Sequence, residues 1–216
     1  LSLRVPARRS FGLTDLATAG SVGPEGERLL REIAAARLAF LVSGGTGTGK
    51  TTLLGALLGE VSPHERVVIV EDSTELRPAH PHVVHLEARP ANVEGAGAIS
   101  LRDLVRQALR MRPDRLVLGE VRGAELCDLL AAMNTGHEGG CGTVHANSAV
   151  DVPARLEALA ALGGLSREAC HAQVAAAIRV VVHVVRHRSG RRGVGQIGVT
   201  RRDQHGLVTV VDAVRC

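Results

Sequence analysis

Tryptophan and tyrosine are absent from the 216 residues, and Phe11 and Phe40 are the whole aromatic complement. Single-strand nucleic acid binders stack bases on aromatic side chains, so that class of function is disfavoured. The four cysteines, Cys127, Cys141, Cys170 and Cys216, contain no C-x-x-C pair, which excludes a zinc knuckle or a disulfide framework and suggests a reduced, cytosolic compartment. Apolar runs such as 38–43 and 180–185 fall far short of the ~20 residues that span a bilayer. The first residues lack the apolar core of a signal peptide, so no direct membrane insertion is expected. Charge of one sign is also missing: 26 Lys and Arg against 22 Asp and Glu leave a net +4, which favours anionic partners without naming one.

With 45% hydrophobic and 22% charged residues, the chain has the make-up of a folded protein. At this length roughly 70–75% of the unfolded surface is buried, and no covalent staple is required. Residues 1–5 alternate like the end of a strand and 6–10 read as a basic linker. Pro24 opens a helical stripe of Leu29, Leu30, Ile33 and Ala34. Apolar runs at 38–42, 66–70 and 115–118 then alternate with helical patterns at 50–59, 101–111 and 123–133, the rhythm of stacked βαβ units. Helices at about 151–162 and 166–178 precede Val-rich segments at 179–186, 193–200 and 207–213, read as a β meander. The fold class is α/β with a mostly parallel sheet.

Ser43 to Thr52 fits G-x-x-x-x-G-K-S/T between an apolar run and a helix rich in Leu and Ala. The glycines let successive N–H groups face phosphate oxygens, and the helix adds its positive end. Gly45, Thr46, Gly47, Thr48, Gly49, Lys50, Thr51 and Thr52 are therefore candidate nucleotide contacts. Lys50 would bridge the β and γ phosphates, and Thr51 would ligate Mg²⁺ through its hydroxyl. Val67–Val70 ends in Glu71-Asp72-Ser73-Thr74-Glu75, and Leu116–Leu118 ends in Gly119-Glu120-Val121-Arg122. Carboxylates at strand ends sit where open α/β sheets bind ligands. Glu120 stands at the Walker B acid and would hold Mg²⁺ through water. The stretch Thr135 to Asn147 adds His137 and His145 and is ambiguous by itself.

In this order, P-loop, E-D-x-x-E, L-G-E-x-R and T-G-H…T-x-H-A-N, the elements resemble the secretion ATPase superfamily of type II and type IV secretion and type IV pili. The runs RPANVEGAG, SLRDLVRQALRMRPDRLVLGEVRGAE, MNTGHEGG and TVHANS look most like its tight-adherence (Flp) pilus branch, including actinobacterial relatives associated with conjugal transfer. The resemblance implies a RecA-like motor that hydrolyses ATP with Mg²⁺. It makes Glu75 the acid that polarises the attacking water, with Glu71 and Asp72 in support and Glu71 also a nucleotide contact, and His145 the link from nucleotide to a neighbouring subunit. Arg122 and Arg112 become candidates for phosphates or that neighbour, whereas Arg106 and Arg110 read equally as a solvated face. It further implies a homo-oligomer, a hexamer when full length, working on inner-membrane platform proteins at the cytoplasmic face.

Two departures stand out. Gly140-Cys141-Gly142 puts two glycines into the strand expected before His145, which leaves its regularity in doubt. Relatives carry an N-terminal domain, so residues 1–20 read as its remnant and linker and 21–216 as the motor. Arg4, Arg8 and Arg9 are either remnants of a phosphate-directed arginine supply or linker charges, and Phe11 and Leu13 could cover the adenine. His80, His82 and His85 form H-P-H-x-x-H, yet alternation splits them across a strand and no further ligand is spaced to complete a metal site. Two rivals remain at this point: a DNA-transfer motor of the same fold, and an assembly subunit that holds ATP without turnover. Lys50→Ala should weaken ATP binding and abolish hydrolysis, and unchanged affinity and phosphate release would contradict the phosphate-loop reading.

Overall fold

A computed structural model describes residues 10–215. One eight-stranded sheet organises it, in the order β3-β2-β4-β5-β1-β6-β7-β8. The strands are β1 Phe40–Ser43, β2 Val67–Glu71, β3 Val83–Glu87, β4 Arg115–Val121, β5 Cys141–Val144, β6 Val180–Arg186, β7 Arg192–Arg202 and β8 Val208–Arg215. The first six in space are parallel, and β7 and β8 complete the sheet as an antiparallel meander. The α/β architecture and terminal meander read from the alternating patterns are both present.

Helices cover both faces, as a buried parallel sheet requires. On one face lie α1 Leu13–Thr18, α2 Pro24–Ala35 and α3 Lys50–Leu58, packed through Leu13, Leu30, Ile33, Leu54 and Leu57 onto Phe40, Val42, Ile69 and Val117. On the other lie α4 Leu101–Arg110, α5 Glu125–Met133, α6 Val152–Leu162 and α7 Arg167–Ala177, packed onto Leu41, Val68, Leu118, Val144 and Val181. Alternate residues of each strand thus feed opposite cores.

Local sequence explains the ends of these helices. Pro24 begins α2 with its missing N–H where no partner is needed. Ser100 caps α4, accepting from the Asp103 amide while the Asp103 carboxylate accepts from the Ser100 amide. Buried Leu101, Val105 and Ala108 then face the sheet. The basic face of α4 is partly neutralised, because Arg102 and Arg106 both pair with Asp128 of α5. Arg112 follows in the left-handed conformation, φ 51°, and Pro113 prevents the helix from resuming. At the edge of the sheet away from the P-loop, Arg115 is almost wholly buried, paired with Glu65 at 2.8 Å and donating to the Ala34 carbonyl.

The doubtful strand before His145 forms, in unbroken register with β1 and with one register shift against β4 between Leu118 and Val121. β5 is fully buried between β4 and β1, parallel to both. Glycines in it and just before it serve close packing: a Cβ on Gly142 would lie 2.9 Å from the Leu118 carbonyl oxygen, and one on Gly140 would lie 2.8 Å from Met133 Cε. Within the expected linker, residues 13–18 form α1, and Leu13 is wholly buried, which removes it as a lid. Residues 1–9, with Arg4, Arg8, Arg9 and the expected first strand, lie outside the described residues, as does Cys216. Gly142→Ala should cost about 1–3 kcal/mol, the scale of overpacking, in urea unfolding; an unchanged midpoint would show that β5 has room to spare.

Candidate nucleotide site

The parallel strands β1, β2, β4 and β5 end on the same edge of the sheet, and their following loops surround a cavity of about 580 Å³. From β1 comes the glycine-rich loop. Gly44, Gly47 and Gly49 have φ of 150°, 70° and 101°, values open to glycine and strained for other residues. A Cβ on Gly44 would meet the Val184 carbonyl oxygen at 2.5 Å, so the loop can leave β1 only as glycine.

Lys50, the sole lysine of the chain, opens α3 and lies buried beneath this loop. Its Nζ donates to the carbonyls of Gly44 at 2.9 Å and Gly45 at 2.8 Å. Burial lowers its pKa, with Glu120 opposing that shift. Thr46, Gly47, Gly49, Thr51 and Thr52 line the cavity. Gly45 and Thr48 do not; Thr48 Oγ1 donates to the Gly45 carbonyl at 3.0 Å and so tightens the turn.

From β2 comes the acidic loop. Glu75 lines the cavity, whereas Glu71, expected as a nucleotide contact, does not. Glu71 is buried under Gly119, and its Oε1 accepts from the amides of Glu75 at 3.2 Å and Leu76 at 3.0 Å. Burial raises its pKa against the pull of those two amides. Glu87, which sequence reasoning passed over, holds the same loop from β3 by accepting from the Thr74 hydroxyl at 2.6 Å. Asp72 is 3.9 Å from Arg122.

From β4 and β5 come Glu120, Arg122 and His145, all lining the cavity. Arg122 pairs with Glu120 Oε2, and His145 Nε2 lies 2.7 Å from Glu120 Oε1. The His145 contact falls outside hydrogen-bond directions, leaving Oε1 a buried acceptor without a hydrogen bond. Burial pushes the Glu120 pKa up, but Arg122, His145 and Lys50 together bring it below the ordinary carboxylate value. Burial and Lys50 hold His145 below the usual histidine range, against the pull of Glu120. Glu125 fixes the turn between, accepting from the amides of Arg122 at 2.6 Å and Gly123 at 2.7 Å.

Phe11 and Arg192 complete the wall. Both also line an adjoining, more apolar cavity of about 560 Å³ with Leu16, Val22, Leu53 and Val194. Arg192 escaped sequence reasoning because β7 reaches the P-loop only through the tertiary fold; no local pattern marks it. Arg112 precedes β4 and so sits at the opposite edge of the sheet, away from this cavity. His82 is 3.1 Å from Arg66 Nε, His80 contacts the Ser62 carbonyl, and His85 is 3.9 Å from Glu71.

The class this fold and loop define is the RecA-like α/β domain with a P-loop at the carboxyl ends of its strands. The chain belongs to the type II/IV secretion system protein family, whose profile matches residues 1–215. It is 63% identical over 202 residues to a provisionally named conjugal transfer protein of Mycobacterium tuberculosis, covering 94% of this chain and 57% of that one. It is 42% identical over 171 residues to the type IV secretion system protein PtlH of Bordetella pertussis, covering 69% and 50%. The VirB11 ATPase of the Brucella suis type IV secretion system, solved with sulphate, superposes with a TM-score of 0.71 at 28% identity, covering 91% of this chain and 60% of that one. The chain thus spans only part of the length of these relatives. Among the described residues, no helix is long and apolar enough to cross a membrane.

Arg122 is the leading charge holding the Glu120 pKa down. Arg122→Met should therefore move the Glu120 titration to higher pH in carboxyl-carbon NMR. An unmoved midpoint would show that Lys50 and His145 suffice.

Proposed function

We propose that this chain is the ATP-hydrolysing motor domain of a secretion or pilus machine. One observation carries the reading: Lys50, Thr51, Glu75, Glu120, Arg122 and His145 converge on one cavity from four consecutive elements of the sheet edge. The likeness to the VirB11 ATPase, at 28% identity, supports a nucleotide-binding reading of the same domain here. In this reading Gly47 to Thr51 present backbone N–H groups to the phosphates, Lys50 adds the local positive charge, and the adjoining apolar cavity takes the base beside Phe11 and Arg192. The residues fit a Mg²⁺ ion, since Thr51 and Glu120 both line the cavity and the Glu120 Oε1 lacks a hydrogen bond. When bound, the ion neutralises charge on the β and γ phosphates.

Glu75 is the residue we assign to the attacking water. Its loop is fixed from beneath by Glu71 and from the side by Glu87, so the carboxylate is presented to the cavity by a rigid turn. A depressed Glu120 pKa keeps that group an acceptor at neutral pH, and His145 beside it is placed to sense the nucleotide. Glu75→Gln should leave nucleotide affinity nearly intact while turnover falls about 10²-fold or more, as for a lost general base. Retained turnover would remove Glu75 from that role.

The work done is the finer part of the proposal. The motifs of residues 89–147 support a tight-adherence pilus branch, whereas relatives named for conjugal transfer favour a DNA-transfer machine. A DNA-stimulated ATPase rate would decide for the second. The full-length protein is proposed to act as a ring at inner-membrane platform proteins, with a neighbour's arginine completing each site. Such a group is worth about 10³-fold or more in rate, so the 216-residue chain should bind ATP, remain mainly monomeric and hydrolyse slowly. A stable hexamer with rapid turnover in sedimentation and coupled assays would contradict this.

A further inference from the structure

The two cavities at the strand ends share Phe11, Gly49, Thr52 and Arg192. Lys50, Thr51 and Glu120 line only the first, and Leu16, Val22 and Leu53 only the second. A nucleotide with its terminal phosphates at Lys50 and its base in the apolar cavity must therefore carry its α-phosphate and ribose across the shared residues. Arg192 is the charged side chain among them. Its stem lies over the phosphate loop, with Cδ 3.8 Å from where a Cβ on Gly49 would stand.

The fold fixes that stem and leaves its charge unneutralised. β6 runs parallel to β1 and β7 returns antiparallel to it, so their connecting turn lies at the P-loop edge of the sheet, and Arg192 opens β7 there. Two residues on, the Val194 amide donates to the Ser21 carbonyl at 2.8 Å, and a Cβ on Gly193 would meet the same oxygen at 2.8 Å. Glycine at 193 thus lets the segment between α1 and α2 lie directly on β7. Residues 186–192 read Arg-His-Arg-Ser-Gly-Arg-Arg, without an acid. Arg186 and Arg192 stand directly opposite each other in the ladder, where side chains share a face and like charges repel. Among the described residues neither guanidinium has a hydrogen bond or an ion pair. An anion beside them relieves that repulsion.

We propose that Arg192 is a nucleotide-binding residue supplied within the same chain, and that its guanidinium holds the α-phosphate of the bound nucleotide. This role rests on the ATPase reading. A planar guanidinium gives two parallel N–H donors to one phosphate, while the compact Lys50 ammonium serves the β and γ end as a point charge. The α-phosphate is common to ATP and ADP and stands apart from the bond that breaks between β and γ. Arg192 therefore contributes equally to ground state and transition state, which raises affinity and leaves kcat where it is.

The test combines MgADP titration with steady-state ATPase kinetics on the 216-residue chain. Arg192→Gln keeps a polar stem and removes the charge, and because Arg192 is exposed the urea midpoint should stay close to the wild-type value. Affinity for MgADP should fall about 10-fold or more, the scale of a lost hydrogen bond to a charged group. The KM for MgATP should rise by a similar factor with kcat within about threefold, as for lost uniform binding. Arg192→Lys keeps the charge without the fork and should lie between the two. Arg186→Gln, whose side chain lines neither cavity, should change MgADP affinity by less than about threefold, since a screened surface charge acts weakly. Unchanged MgADP affinity in Arg192→Gln would overturn the proposal. So would a loss confined to MgATP with kcat lowered, which would place the guanidinium at the γ-phosphate. Equal losses in Arg186→Gln and Arg192→Gln would overturn it too, by showing diffuse attraction to the whole hairpin. A wild-type chain that binds neither nucleotide defeats the ATPase reading and this role with it, whereas wild-type binding that Arg192→Gln leaves intact defeats the role alone.

Discussion

The close approach of Gly44 to the Val184 carbonyl is the constraint from which the site follows. It forces the chain leaving β1 into a backbone conformation that only glycine adopts without strain. The turn then presents the Gly44 and Gly45 carbonyls to the Lys50 ammonium, which donates to both. The position of α3, the orientation of the loop amides and the placing of the one lysine all descend from that packing. Because β1 is buried between β5 and β6, the loop is anchored to a rigid element on both sides, as a site that must orient charged groups requires.

The other walls are built by a different device. Three carboxylates that do not line the cavity hold the loops that do: Glu71 and Glu87 fix the turn bearing Glu75, and Glu125 fixes the turn bearing Arg122. Each accepts from backbone amides or a hydroxyl, and such charge-assisted bonds are stronger than neutral ones. The acids thus divide into those that shape loops and those that line the cavity. Glu71 is half of an acidic motif and yet works as a support.

This division marks the limit of what sequence alone conveyed. Strands and helices with strong periodicity, and the loop from Ser43 to Thr52, were legible because their patterns are local. Glu75 and Glu120 drew attention because strand ends in an open α/β sheet face one crevice, whereas Arg122 and His145 became candidates only through the family resemblance. Arg192 was not legible, since it reaches the P-loop from a terminal strand through long-range pairing alone. Gly140 and Gly142, before and within β5, misled, because glycine in a strand signals either weakness or close approach, and only the contacts with Leu118 and Met133 distinguish the two. The presence of a single lysine among 26 basic residues was available from the start. Its position in the loop is the signal that arginine, with its planar fork, does not replace the compact ammonium there.

That single lysine offers the most direct check of the central claim, that this cavity binds the phosphates of MgATP. Isotope labelling of lysine gives one side-chain resonance that needs no assignment. The account predicts that this resonance moves on titration with MgADP at up to ~1 mM, the upper range of ordinary substrate affinities. A resonance that stays in place across the same titration, while the chain remains folded, would contradict it.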